Sequence, residues 1–96
     1  MSITAKHPLL ARVAMSVDSL TLTGSAIPLT DEETLYVRLV FVPSTAITVG
    51  DADSQPFTVG SGVPFNLEVP AGCIADMQDV YVNGTAGQTV KYLRFQ

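Results

Sequence analysis

The sequence predicts a small all-β protein, either an antiparallel β-sandwich or a jelly-roll-like barrel, with about seven or eight short strands. Three observations predict this fold. Apolar residues recur at every second position along several stretches, as they do in half-buried strands. Glycine and proline interrupt these stretches roughly every 8–12 residues. The length of 96 residues suits one domain with one modest core.

Residues 8–17 have an ambiguous pattern. Leu9, Leu10, Val13 and Val17 fit helical spacing, while Leu9, Ala11, Val13 and Met15 fit strand spacing. We favour a strand because the rest of the chain reads as β. The pattern predicts a contact arm at residues 1–18, in front of a β-sandwich domain at residues 19–96.

The first strand of the predicted domain covers residues 19–23, and Gly24 and Ser25 supply a turn before the extended residues 27–29. Residues 30–33 are polar. Thr30 and Glu33 have the spacing of a capping box, which would start one helical turn. A solvated loop is favoured instead, because the next strand pattern begins at once.

Residues 34–42 carry the clearest alternation. Leu35, Val37, Leu39 and Phe41 share one face of the predicted strand. The opposite face is also largely apolar, which predicts a central strand or an interface strand. Pro43 lacks an amide hydrogen and is expected to interrupt the ladder.

The remaining strands are shorter. They are predicted at residues 46–49, 57–59, 64–69, 79–82 and 88–95. Pro70, Ala71 and Gly72 are expected to turn the chain. Residues 83–87 begin with Asn-Gly, so we predict a hairpin that joins the last two strands.

Composition narrows the function classes. Charged residues make up 15% of the chain and hydrophobic residues 47%, which argues against disorder and favours association. The net charge of −4 and the scattered Lys and Arg residues argue against nucleic-acid binding. One cysteine suits a reducing cytoplasm. Pro8 and Arg12 interrupt the only signal-like stretch, and no run is long enough to cross a membrane.

Candidate catalytic and metal-binding residues are sparse. His7 has no evident partner and is interpreted as a surface residue. Asp51 and Asp53 resemble the start of a calcium loop, but Pro56 and Gly62 replace its later glycine and acidic residue. A polar turn is therefore favoured there.

Asp76 and Asp79 could form a carboxylate pair for glycoside hydrolysis, but turn capping is the favoured interpretation. Cys73 is expected to be a small core or loop residue without a reactive thiol. These observations predict no enzyme, no cofactor, no metal and no small-molecule substrate.

Three segments resemble small structural proteins of tailed bacteriophages. They are residues 20–29 (LTLTGSAIPL), residues 49–53 (VGDAD) and residues 79–93 (DVYVNGTAGQTVKYL). The resemblance covers most of the chain beyond Ser19, whereas residues 1–18 match no pattern of that group. Arg94, Phe95 and Gln96 depart from its usual aromatic ending.

The resemblance implies a virion protein, most simply a head-decoration or cement protein that bridges capsid subunits. The expected partners are the major capsid protein and copies of the chain itself, with a trimer favoured. The expected location is the capsid surface, after assembly in the host cytoplasm. The candidate contact residues are Leu9, Leu10, Val13, Asp51, Asp53 and Asn83.

Two alternatives stay open. The chain could be a tail or adaptor component, or a module that binds carbohydrate on a host surface. Tyr36, Tyr81 and Tyr92 would offer stacking faces to a sugar, although the chain has no tryptophan.

Overall fold

The computed structural model describes residues 15–96, which form ten short strands and one turn of 3₁₀ helix. The strands are β1 Met15–Thr21, β2 Ile27–Pro28, β3 Leu35–Tyr36, β4 Arg38–Pro43, β5 Ile47–Gly50, β6 Phe57–Val59, β7 Phe65–Glu68, β8 Ala75–Asp76, β9 Tyr81–Asn83 and β10 Thr89–Phe95. The 3₁₀ turn, Met77–Asp79, lies between β8 and β9. The all-β prediction is confirmed.

The strands form two four-stranded antiparallel sheets and a small two-stranded one. Sheet A has the order β1-β10-β4-β7, and sheet B has the order β2-β9-β5-β6. Strands β3 and β8 pair with each other. No sheet closes on itself within residues 15–96, so the arrangement is that of a small sandwich and not of a closed barrel.

The core lies between sheets A and B. Leu39 and Phe41 on β4 and Val90 on β10 are fully buried, and they face Ile47 and Val82 from sheet B. The ring centroids of Phe41 and Phe65 lie 5.1 Å apart, a separation that aromatic pairs favour. Burial of these apolar groups is the main stabilising contribution available to so small a domain.

The long strand predicted at residues 34–42 is divided in two. Val37 separates β3, which pairs with β8, from β4, which pairs with β10 and β7. The break also changes which residues face inward, because Tyr36 is buried on β3 while Leu39 is buried on β4. The prediction that this segment is central holds for β4, and the strand ends at Pro43 as expected.

The hairpin predicted at residues 83–87 is wrong. Strand β9 belongs to sheet B and β10 belongs to sheet A, so this connection crosses between the sheets. The loop is held by bonds to the end of β1 instead, with Gly87 N donating to Leu22 O over 2.9 Å. Asn-Gly promotes a turn, but the pairing partners are decided by which strands complete each sheet.

Three other local predictions are settled by hydrogen bonds. Residues 30–33 form a loop without a helical turn, and the Thr30 hydroxyl donates to Glu32 O. The turn at residues 70–72 is confirmed, because Cys73 N donates to Pro70 O and Gly72 has φ +83°. The strand predicted at residues 19–23 begins earlier in the structure: β1 starts at Met15, and residues 15–18 pair with β10.

Candidate functional site

Asp51 and Asp53 lie in the loop that follows β5. Asp51 Oδ1 accepts bonds of 2.9 Å from both Asp53 N and Ser54 N, and Ser54 O accepts a bond from Asp51 N. This carboxylate therefore shapes its own loop, as in an Asx turn. Within residues 15–96, no group of three or more His, Cys, Asp or Glu side chains is placed to hold a metal ion.

The six predicted contact residues do not form one site in the described structure. Leu9, Leu10 and Val13 lie outside the described residues. Asn83 pairs with Thr48, whereas Asp51 follows Gly50, which pairs with Tyr81. Asn83 and Asp51 therefore lie toward opposite ends of the β5–β9 pairing.

Asp76 has a capping role. It precedes the 3₁₀ turn, and its Oδ1 accepts bonds of 3.0 Å from Gln78 N and from Thr34 N. The carboxylate thus fixes the start of the 3₁₀ turn and ties it to the residue before β3. Cys73 is exposed and free, on the turn after β7.

The outer face of sheet A carries an apolar area that we call the outer patch: Met15, Val17, Val40, Leu93 and Phe95. The register places Leu93 opposite both Val17 and Val40, and places Phe95 opposite Met15. Met15 is 60% exposed and Val17 is 70% exposed. An apolar sheet face that no other element of the described structure covers is typical of a contact surface.

Polar side chains border the outer patch on the β7 side. The Arg38 guanidinium lies over the Phe95 ring, with 5.6 Å from Cζ to the centroid, and its Nε donates to Asn66 Oδ1. Glu68 is opposite Arg38 in the β4–β7 pairing. An apolar centre beside a polar rim is the usual anatomy of a protein–protein interface.

Strand β1 also presents a free backbone edge, since β10 is its only strand partner in the described structure. Leu22 exchanges backbone bonds with Gln88 and Gly87 of the segment leading into β10. Backbone groups alternate in direction along an antiparallel strand, so those of Ser19 and Val17 point to the free edge. The Asp18 carboxylate accepts a hydrogen bond from Ser19 N over 2.8 Å, so this backbone donor of the free edge already has a partner.

Beside β1, the two sheets separate and leave a cleft of about 730 Å³ that we call the edge cleft. Its lining residues come from β1 and the residues just after it, from the segment between β2 and Thr34, and from the inner face of β10. Leu20, Ile27 and Tyr92 form an apolar floor that packs against the core. Three carboxylates line the cleft: Asp18, Asp31 and Glu32.

Arg94 is the one basic side chain among the described lining residues of the edge cleft. Its Nη1 donates to Leu35 O over 2.7 Å and to Gln96 Oε1, and its Nε donates to Ser16 Oγ. All three acceptors are neutral, and they fix the guanidinium at one end of the cleft. Carboxylates therefore dominate the charge of this cleft.

Two tyrosines have a raised pKa: Tyr92, which lines the edge cleft, and Tyr36, which is buried on β3. Burial raises the pKa of Tyr92, the Asp18 carboxylate raises it further, and Arg94 opposes the shift. Burial also raises the pKa of Tyr36, with smaller contributions from Asp79 and Asp76. Both shifts favour the neutral phenol over the phenolate.

The outer patch and the edge cleft were not predicted as surfaces, although two of their parts were indicated by the sequence. The apolar second face of residues 34–42 predicted a central or interface strand, and Val40 of that face belongs to the outer patch. The contact arm predicted at residues 1–18 includes Met15 and Val17, but their position beside β10 could not be predicted, because it depends on pairing with the far end of the chain.

Comparisons with known proteins give no relative for this chain: no family model, no curated protein and no solved structure matches it. None of the helical segments in residues 15–96 has the length and apolar character that crossing a membrane requires.

Proposed function

We propose that this chain is a structural protein that works by binding and assembly, and specifically a decoration or cement protein of a tailed-phage head. The observation that carries the proposal is the outer patch, an apolar area on the free face of sheet A that includes Met15 and Val17. The proposal that the partner is a phage head rests on the resemblance of residues 20–29, 49–53 and 79–93 to phage structural proteins.

The mechanism is adhesive. The outer patch would be buried against capsid subunits, and burial of each large apolar side chain contributes about 1.5–3 kcal/mol before the cost of association. Because the bound surface exists only on the assembled head, binding would stabilise that state over free subunits. No catalytic or cofactor step is required.

Binding to heads tests the proposal. Purified chain is sedimented with empty phage heads, together with the variants Val17→Lys and Phe57→Lys. Both positions are exposed apolar residues on edge strands, but Val17 lies in the outer patch and Phe57 lies at the edge of sheet B. We expect Val17→Lys to abolish co-sedimentation and Phe57→Lys to retain it.

Circular dichroism and thermal unfolding of both variants control for folding. The reverse pattern of binding, or no binding of the unchanged chain to heads, would contradict the proposal. Density only at the tail or its junction in a cryo-electron microscopy map would favour the adaptor role instead.

The carbohydrate-binding alternative receives less support from the structure. Tyr36 is 5% exposed, so its ring is not available to a sugar. Tyr92 is half-buried on the floor of the edge cleft. A glycan screen would decide this alternative, and a specific hit that competes with head binding would favour it.

A further inference from the structure

The edge cleft is open, apolar at its base and acidic at its rim, and these properties define what can occupy it. Leu20, Ile27 and Tyr92 are each only half-buried although they pack against the core. An occupant that covered them would complete the burial of the core at this side. The lining carboxylates would favour an occupant that carries positive charge.

Residues 1–14 of the chain have the matching chemistry in their sequence. They contain Leu9, Leu10 and Val13 together with the basic residues Lys6 and Arg12. All nine acidic residues of the chain lie after residue 14. The segment is therefore apolar and basic, whereas the cleft is apolar and acidic.

We propose that the edge cleft binds residues 1–14 of a second copy of this chain. This inference rests on the proposed assembly function and deepens it, because it names the surface through which copies of the chain join. Each copy carries one basic segment and one acidic cleft, so each copy can bind a neighbour and be bound by a neighbour. Such pairing can close a symmetric ring or dimer.

A second copy is favoured over the chain's own segment by the sequence next to β1. Residues 12–15 are Arg, Val, Ala and Met, and none of them is a residue type that favours a tight reversal. The chain would have to reverse there to lay residues 9–13 back along its own β1. The same residues can reach the cleft of a neighbour without that reversal.

The test uses charge exchange in the full chain. Variant X carries Asp31→Lys and Glu32→Lys, and variant Y carries Lys6→Glu and Arg12→Glu. In each variant alone, the segment and the cleft have like charges. In a mixture, the basic cleft of X faces the acidic segment of Y, and the acidic cleft of Y faces the basic segment of X.

The substitutions in X should leave the loop intact. Only the main-chain oxygens of Asp31 and Glu32 accept bonds in the described structure, from Gln78 Nε2 and from the hydroxyls of Thr30 and Thr34. The control variant carries Thr58→Lys and Asp79→Lys, which add positive charge at exposed positions away from both the cleft and the outer patch.

Sedimentation velocity over a range of concentrations provides the readout. We expect the unchanged chain and the control to self-associate, X and Y alone to do so at least about tenfold more weakly, and their mixture to recover association. Added salt should weaken the association of the unchanged chain.

Two results would overturn the inference. One is an unchanged chain that stays monomeric up to about 1 mM, as docking of the chain's own segment would give. The other is a mixture of X and Y that associates no better than either alone. Val17 also lines the cleft, so head binding by the outer patch is measured separately with Met15→Lys as well, an outer-patch position outside the cleft lining. A failure here therefore leaves that result independent.

Discussion

The interior strand β4 and the edge strand β1 have similar lengths but opposite environments. On β4, Leu39 and Phe41 are fully buried, and β10 and β7 pair on either side. On β1, every residue except the half-buried Leu20 is exposed, and one side has no strand partner in the described structure. Position in the sheet, more than residue type, decides which strand stabilises the domain and which is free to bind.

Under the proposed function, the strands that stabilise this small domain differ from the strand that binds. Substitutions on β4 should lower the free energy of unfolding, whereas substitutions on β1 should alter association and leave folding nearly unchanged.

Phe41→Ala should lower the free energy of unfolding by about 3–5 kcal/mol, because it removes a fully buried ring and leaves a cavity. Phe57→Ala, the same change at a ring that is 61% exposed, should stay within about 0.5 kcal/mol of the unchanged chain. Urea unfolding monitored by circular dichroism measures both. Equal losses of unfolding free energy in the two variants would contradict the claim that the interior strand stabilises the domain more than the edge strand.

Gly50→Ala should destabilise the fold by about 1–3 kcal/mol or more. A Cβ at Gly50 would collide with Ser54 O and approach Gln55 Cα to 2.6 Å, so the loop after β5 would have to move. Gly62→Ala is the control, because its φ is +72° but no atom lies within 4 Å of the added carbon. There we expect a loss of about 1 kcal/mol from backbone strain alone. Thermal unfolding compares them, and a smaller loss at Gly50 would contradict the steric argument.

Thr45→Val should raise stability by about 1 kcal/mol. The Thr45 hydroxyl oxygen is buried and has no hydrogen-bond partner in the described structure, so its removal ends an uncompensated desolvation cost. Valine keeps the branched shape of the side chain. Urea unfolding is the measurement, and Ser44→Ala serves as a contrast, since the Ser44 hydroxyl bonds to Gln88 and to Thr89 N. A loss of stability in Thr45→Val would show that its hydroxyl is satisfied.

The smallest effect concerns pH. The pKa of Tyr36 is raised above its ordinary value of 10.0 by burial and then by Asp79 and Asp76, so the folded state disfavours the phenolate. Below about pH 10 the phenol is neutral in both the folded and the unfolded state, so Tyr36 gives no pH dependence of stability there. Above that pH the unfolded state loses the proton first, and the free energy of unfolding falls as pH rises. Tyr36→Phe should unfold at higher pH than the unchanged chain while matching it at pH 7. Far-ultraviolet circular dichroism during an alkaline titration measures this, and an identical transition would contradict the burial argument.

The sequence predicted the fold class well and the connections poorly. Alternation and turn residues depend on local sequence, and they located β4, β5, β6 and β10 correctly. The break at Val37 and the crossing between β9 and β10 depend on which distant strands pair. No local pattern encodes that choice, because Asn-Gly favours a turn whether or not the flanking strands share a sheet.

The candidate site shows the same division. Asp51 was correctly interpreted as part of a polar turn, because an Asx turn needs only the next few residues. The outer patch requires Val17, Leu93 and Val40 side by side, which come from three strands far apart in the chain. Residue type alone could not distinguish these exposed apolar residues from core residues.

Hydrogen exchange of the chain with and without phage heads tests the central claim most directly, because it reports which backbone amides become covered. We predict that amides of β1 and of residues 93–95 gain protection when heads are present, whereas β6 does not change and β4 is protected in both states. Exchange that is identical with and without heads, or protection confined to β6, would contradict the claim that the β1 side of sheet A is the binding surface.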